Sequence, residues 1–192
     1  YLSKVQLEGA SKDELQIYYT ALFHTLQFPR ETSEHGKYFS AFDSKIHEGV
    51  SYNDYSLWDT FRAEHPWLQL IAPERVNDMI QSLVQMYQEG GWLPKWPNPT
   101  YSNIMIGTHA DAVIADAYIN GFRGYDVKTA YEAIRKNAYT PPAQDEAFRW
   151  KDRAPWNGHY EARGGLTNYL KQGYVSEEKA NESVSRTLEF AL

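Results

Sequence analysis

There is no cysteine in this 192-residue chain, which excludes disulfides, thiolate metal sites and thiol nucleophiles. The compartment stays open, because a secreted protein with a large core can do without disulfides. A basic stripe is also missing: the 19 Lys and Arg residues are scattered and the formal net charge is -6, so nucleic acid is not an expected partner. Apolar runs are only a few residues long, far short of the roughly 20 that a spanning helix needs. No membrane segment is expected, and no signal peptide is visible. HExxH, EF-hand and Gly-x-Ser-x-Gly patterns are absent, the six histidines fall at no ligand spacing, and Gly90-Gly91 and Gly164-Gly165 lack the rest of a phosphate loop. No metal ligand is therefore expected within the chain.

What the chain has in excess is aromatic surface, with 15 tyrosines and 6 tryptophans among 15% aromatic residues. Tyr and Trp combine contact area with a polar tip, which suits a cleft for a polar, ring-shaped ligand. The stretch GGWLPKWPNPTYSNIMIGTHADAVIADAY, from Gly90 to Tyr118, concentrates this chemistry. Trp92 and Trp96 bracket Lys95, three prolines keep the segment out of helix, and Gly107 returns the chain to helix. Two readings fit so stiff a loop: a platform for a sugar ring, or a plug closing the end of a helical bundle.

Local signals predict helices almost throughout. Ser11 and Glu14 form a capping-box pattern ahead of Leu15, Tyr18, Tyr19, Leu22, Phe23 and Leu26, and predict a helix over 11–28 that stops before Pro29. Residues 30–53 read as a long loop with a short hairpin around 38–46. Asp54 is placed to cap a helix carrying Leu57, Trp58, Phe61 and His65, with Pro66 marking a boundary or kink. Pro73 opens a helix with a stripe of Val76, Met79, Ile80, Leu83, Val84 and Tyr87, closed by Gly90-Gly91. Thr108 and Asp111 repeat the capping-box pattern for a helix to about 120. Helices over 126–138, 166–171 and from Ser176 to the end follow, with a polar, proline-containing stretch to Gly158 between them. Helix following helix without runs of strands gives an all-α class, a helical array or toroid whose loops gather at one end. The start at Tyr1 and the unclosed last helix predict an excerpt of a longer chain.

Two constellations are candidates for function. Trp58, Arg62 and His65 share a helical face, and Asp59 is spaced to pair with Arg62. They read either as a cap with a surface ion pair or as an Arg-oriented carboxylate beside an indole, offered to a hydroxylated ligand. His109 and Asp116 are spaced to form a polar stripe, while Asp111 has a structural explanation as the N3 residue of its capping box. The loop from Trp92 to Tyr101 is expected at one end of the helices, with Trp58, Asp59 and His109 facing one concavity.

Four linked stretches, YYTALFHTLQFPRETSE, SYNDYSLWDTFRAEHPW, NDMIQSLVQMYQEGGWLPKW and NIMIGTHADAVIADAY, closely resemble the glycoside hydrolase family 92 α-mannosidases, and the match runs through nearly the whole chain. The resemblance implies a calcium-dependent, inverting enzyme acting on α-mannosides, largely α-1,2-linked, built from an N-terminal β-sandwich and an (α/α)6 toroid. Residues 1–192 would then be a part of the toroid, lacking the sandwich and its C-terminal part, with the rest of the parent chain and a mannose-containing glycan as partners. Calcium ligands and the catalytic base are expected outside this chain, and the location is expected to be secreted or otherwise extracytoplasmic.

Trp58, Asp59, Arg62, His65, Trp92, Lys95, Trp96, His109 and Asp111 are candidate substrate-binding residues. Tyr101 stands at the position of the family's glutamate general acid. A phenol with pKa about 10 is a poor proton donor near neutrality, whereas a mannosyl phosphodiester needs no protonation of its leaving group. Tyr101 would then serve by hydrogen-bonding the phosphate. The alternative is a non-catalytic sugar-binding or scaffold toroid module, which a carboxylate elsewhere in the cleft, such as Asp59 or Asp111, would argue against.

Overall fold

The computed structural model describes residues 1–152 and 161–191. Among the described residues eight helices carry the fold: α1 Lys12–Thr25, α2 Leu57–Thr60, α3 Glu64–Ile71, α4 Pro73–Gly90, α5 Ala110–Ile119, α6 Val127–Tyr139, α7 Leu166–Gln172 and α8 Ser183–Ala191. The only strands among the described residues are β1 Arg30–Glu31, β2 Lys37–Ser40, β3 Lys45–Glu48 and β4 Tyr52–Asn53, forming two antiparallel two-stranded pairs. The helical class read from the sequence is thus the class observed. No helix of the described residues is long and apolar enough to cross a membrane.

The centre of the molecule is α4. Its stripe of Val76, Met79, Ile80, Leu83 and Val84 is buried, because apolar side chains recurring every three to four residues line one face of a helix. That face packs on α3, α5 and α6, where it meets Leu68, Val113, Ile114, Ala117, Ala130 and Ala133. Two polar bonds tie the preceding strand region to α4: Ser82 Oγ accepts from the Tyr52 amide at 2.8 Å, and the Tyr55 hydroxyl donates to the Met79 carbonyl at 2.8 Å. A smaller C-terminal core gathers Trp150, Leu166, Val175, Ala180 and Phe190.

Local signals explain most boundaries. Ser11 and Glu14 make a complete capping box at α1, Pro73 opens α4, and Gly91 closes it with φ 91°. The predicted hairpin forms as β2 and β3, with Tyr38 opposite His47 and Phe39 opposite Ile46.

Two boundaries differ from expectation. The helix predicted across 54–65 is split: α2 is a single turn, Ala63 has φ -133°, and α3 starts at Glu64. Pro66 therefore lies in the first turn of α3, where a missing N–H breaks no helical bond. Asp54 caps nothing; its carboxylate accepts from Arg30 Nε at 2.7 Å. The last helix begins at Ser183 rather than Ser176, because the preceding residues close a turn on the Ser176 carbonyl and then pair with Trp150, whose amide donates to the Lys179 carbonyl at 2.6 Å and whose carbonyl accepts from the Asn181 amide at 3.0 Å. The end of the predicted polar stretch to Gly158 lies outside the described residues.

Not every apolar surface is covered. Between α5 and α6 runs a groove of about 610 Å³ lined by Ile114, Tyr118, Ile119, Tyr125, Val127 and Tyr131 among others. Ile119 is 80% exposed there and Tyr131 61%.

Candidate functional site

The loop after α4 is shaped by buried polar anchors. Gly91 turns the chain out of the helix, and the Tyr101 hydroxyl bonds both main-chain groups of Trp92, accepting from its amide at 2.9 Å and donating to its carbonyl at 2.6 Å. A Cβ at Gly90 would lie 2.4 Å from that hydroxyl, so the close approach requires glycine. Further along, the fully buried Glu161 accepts from the amides of Lys95 and, at 3.0 Å, Asn103. Lys95 Nζ donates to Asn103 Oδ1 at 3.2 Å. Burial pushes the Glu161 carboxyl up, opposed by the Lys95 charge and the backbone amides. A fold-spanning carboxylate thereby fixes both ends of the segment that carries Trp96.

Trp96 and its neighbours form one wall of a cavity of about 410 Å³. The same cavity is lined by Ser56, Thr60 and Glu64, recurring every four residues from the start of α2 into α3, and by Phe28, Arg30 and Asp54. The floor is tied by Asn53 Nδ2, which donates to the Pro99 carbonyl at 2.8 Å. Asp54 is ion-paired with Arg30, and Asp59 next to this wall accepts from Ser56 Oγ. Glu64 has no hydrogen-bond or ion-pair partner among the described residues, and its partial burial pushes the carboxyl up to about 7.

A second polar cluster sits at the start of α5. Arg62 lies over the rings of Trp58 and Phe61, with its guanidinium 5.1 and 4.4 Å from their centroids, and Phe61 stacks on His109 at 4.3 Å. His109 Nε2 meets Glu189 at 2.5 Å. Burial lowers the pKa of His109 and Glu189 opposes that shift, the net direction being down. Beside it Asp111 accepts from Thr108 Oγ1 at 2.7 Å, Asn137 Nδ2 at 2.8 Å and Arg163 Nη2 at 3.3 Å. Burial raises its carboxyl to about 6, and these partners hold it back. Gly107, with φ 78°, lets the chain pass: a Cβ there would lie 2.6 Å from His109 and 2.7 Å from Glu189.

These positions sort the residues singled out from the sequence. Trp58 and His109 do lie on one side, bridged by Arg62 and Phe61, whereas Asp59 bonds Ser56. The expected Asp59–Arg62 pair is replaced by Arg62 Nη1 donating to the Trp58 carbonyl at 3.1 Å. His65 is buried and stacked on Tyr55 at 6.1 Å, and burial lowers its pKa to about 4, so it is a neutral core group at working pH. Trp92 faces α6, where Lys136 Nζ lies 4.3 Å from its ring centroid. Lys95 is buried behind the loop, and Trp96 alone of the loop's two indoles lines the cavity. Asp116 bonds Gln69 at 2.6 Å instead of forming a stripe with His109. The expected Thr108–Asp111 capping box does not form: His109 is the N-cap, without a side-chain cap bond, and the Asp111 carboxylate instead accepts from the Thr108 hydroxyl and joins the buried cluster. The Tyr101 phenol is bonded to the main chain, which removes the free hydroxyl that the phosphate-binding expectation needed.

The model of the glycosyl hydrolase family 92 catalytic domain matches residues 1–192. The chain belongs to this family. Over its whole length it is similar to a family 92 inverting mannosidase of Bacteroides thetaiotaomicron, with a TM-score of 0.87 and 32% identity, covering 25% of that chain. A family 92 α-mannosidase from the same organism superposes over 99% of this chain and 24% of its own, with a TM-score of 0.78 and 31% identity. A complex of that enzyme with mannoimidazole gives a TM-score of 0.72 at 29% identity. Among curated proteins, an uncharacterized secreted glycosidase of Arthroderma benhamiae is 29% identical over 68% of this chain and 16% of its own length. This chain thus spans about a quarter or less of the family 92 proteins it matches, and its helices are part of an (α/α)6 toroid.

Sequence reasoning missed Glu64, Arg163, Glu161 and Glu189. Glu64 had a local signal, the four-residue spacing from Ser56 and Thr60, hidden between the more conspicuous Arg62 and His65. For the other three no local pattern exists, since their partners lie far away in sequence.

Proposed function

We propose that the family 92 protein containing these residues is an exo-acting, inverting α-mannosidase that removes mannose from α-linked glycans, α-1,2 linkages included, outside the cytoplasm. The similarity to an inverting mannosidase over the full chain supports the reaction class, and the fungal relative described as secreted supports the location. The observation that carries the reading is the cavity pairing Trp96 with Asp54, Ser56, Thr60 and Glu64. An indole face covers the apolar side of a pyranose while carboxylates and hydroxyls take its hydroxyl groups.

Inversion needs an acid at the leaving oxygen and a base activating water on the opposite face. In this reading the chain supplies the wall that seats the sugar, the rigid loop that holds Trp96, and carboxylates on one side of the bond. Calcium, when bound, would polarise sugar hydroxyls and orient the ring. The described residues bring together no three carboxylate or imidazole groups that could hold such an ion, so they do not fit a calcium site by themselves. The exposed groove between α5 and α6 would receive remaining helices of the toroid, whose partner is the rest of the parent chain.

Assay of the complete parent on α-mannobiose, a mannose-α-phosphodiester and an aryl α-mannoside tests this, with the product anomer followed by NMR. Release of β-mannose is the expected first product. Retention of the α-anomer, or hydrolysis of none of the three, overturns the reading. The locked Tyr101 hydroxyl favours one competing case, a non-catalytic sugar-binding module, which would bind mannosides in calorimetry without turning over any of them.

A further inference from the structure

Six carboxylates adjoin the loop and the two clusters, and five are engaged: Asp59 accepts from Ser56 Oγ and Glu189 pairs with His109. Asp54 is neutralised by Arg30, Asp111 is bonded by Thr108, Asn137 and Arg163, and Glu161 is fully buried under the amides of Lys95 and Asn103. Glu64 differs. It lines, together with Trp96, a cavity large enough for a sugar ring, and has no polar partner among the described residues. An acid in the first turn of a helix ordinarily has a structural explanation, because the helix dipole favours its ionised form. Here the balance runs the other way: burial holds the carboxyl protonated up to about 7. The charged groups around the cavity, Arg30 and Asp54, pair with each other, and the neighbouring His65 turns into the core against Tyr55.

We propose that this cavity is the leaving-group side of the sugar site and that Glu64 is the proton donor, replacing the carboxylic acid that Tyr101 cannot supply. The assignment rests on the mannosidase reading. Glu64 gives its proton to the glycosidic oxygen as the bond from that oxygen to C1 breaks, and the electron pair leaves with the oxygen as an alcohol. A water oxygen bonds C1 from the opposite face and passes its proton to a carboxylate of the remaining parent chain. Glu64 regains its proton from solvent.

The experiment is the parent enzyme with Glu64→Gln, assayed on α-mannobiose and on 2,4-dinitrophenyl α-mannoside, whose leaving group departs unprotonated. Expected is a loss of about 100-fold or more in kcat/KM on α-mannobiose with less than about 10-fold on the dinitrophenyl substrate, the range of general acid catalysis. The wild type should lose α-mannobiose activity as pH rises through about 7, and should keep dinitrophenyl activity across that limb. This wild-type comparison holds even if the variant folds poorly. Equal losses on both substrates, or a basic limb identical for both, overturns the assignment while leaving a mannosidase in place. A wild-type parent that cleaves neither substrate overturns the mannosidase reading and this assignment with it.

Discussion

Glu64 and Asp111 are both carboxyls that burial makes reluctant to ionise, to about 7 and about 6 respectively, yet they lie in opposite kinds of surroundings. Asp111 is ringed by a threonine hydroxyl, an asparagine amide and a guanidinium, so its negative form is accommodated and it braces α5 against α6 and Arg163. Glu64 lines an open cavity with no hydrogen-bond or ion-pair partner among the described residues. The same desolvation gives a strut where partners surround the group and an available proton where they do not. A raised pKa is therefore informative only together with the contacts around it.

The contrast can be broken most forcefully at the strut that shapes the loop. Glu161→Ala removes the acceptor of two amides and leaves the Lys95 ammonium buried without its counter-charge, which should cost about 3–5 kcal/mol. Urea unfolding of the parent would measure it, and a change below about 1 kcal/mol would mean that the loop is held by something else. Asp111→Ala should come next, at about 1.5–3 kcal/mol for lost bonds to charged groups. Glu64→Ala, with no such bonds to lose, should stay within about 0.5 kcal/mol at pH 4; equal effects of the two would erase the distinction between strut and donor.

The pH dependence sharpens the same comparison. Glu64 rises from 4.5 to about 7 on folding, so the folded state binds more protons in that window. Its contribution is fully present below 4.5 and lost as pH rises through 7. His65 falls from 6.5 to about 4, and its contribution is present above 6.5 and lost as pH falls toward 4. The two adjacent residues oppose each other, and thermal melts from pH 4 to 8 should show Glu64→Gln rising in stability relative to wild type with pH, while His65→Phe should flatten the acid limb. Tyr101→Phe should cost about 0.5–1.5 kcal/mol for its bonds to Trp92, with activity on aryl α-mannoside retained; abolished activity would restore Tyr101 to the site.

Elements governed by neighbours in sequence were legible. The capping box at Ser11 and the stripe of α4 give the same answer locally and in the fold, because each helix end and each buried face is decided within a few residues. The break between α2 and α3 was misplaced because Pro66 marks a helix boundary equally well from inside the first turn. For the site, Trp96 and the clustering of Trp58, Arg62 and His109 could be anticipated from spacing. Lys95, His65 and Tyr101 could not be told from binding residues, since only their burial separates them, and Glu161 gave no signal because its partners Lys95 and Asn103 lie 66 and 58 residues away.

That distance gives the molecule a timetable. Trp96 leaves the ribosome well before Glu161 does, so the loop emerges without the carboxylate that binds its ends, and α5 and α6 are complete before its shape can be fixed. The Trp96 side of the cavity is thus expected to be among the last parts to set. A chain interrupted before residue 161 would assemble the helical core around α4 while leaving its Trp96 loop unformed.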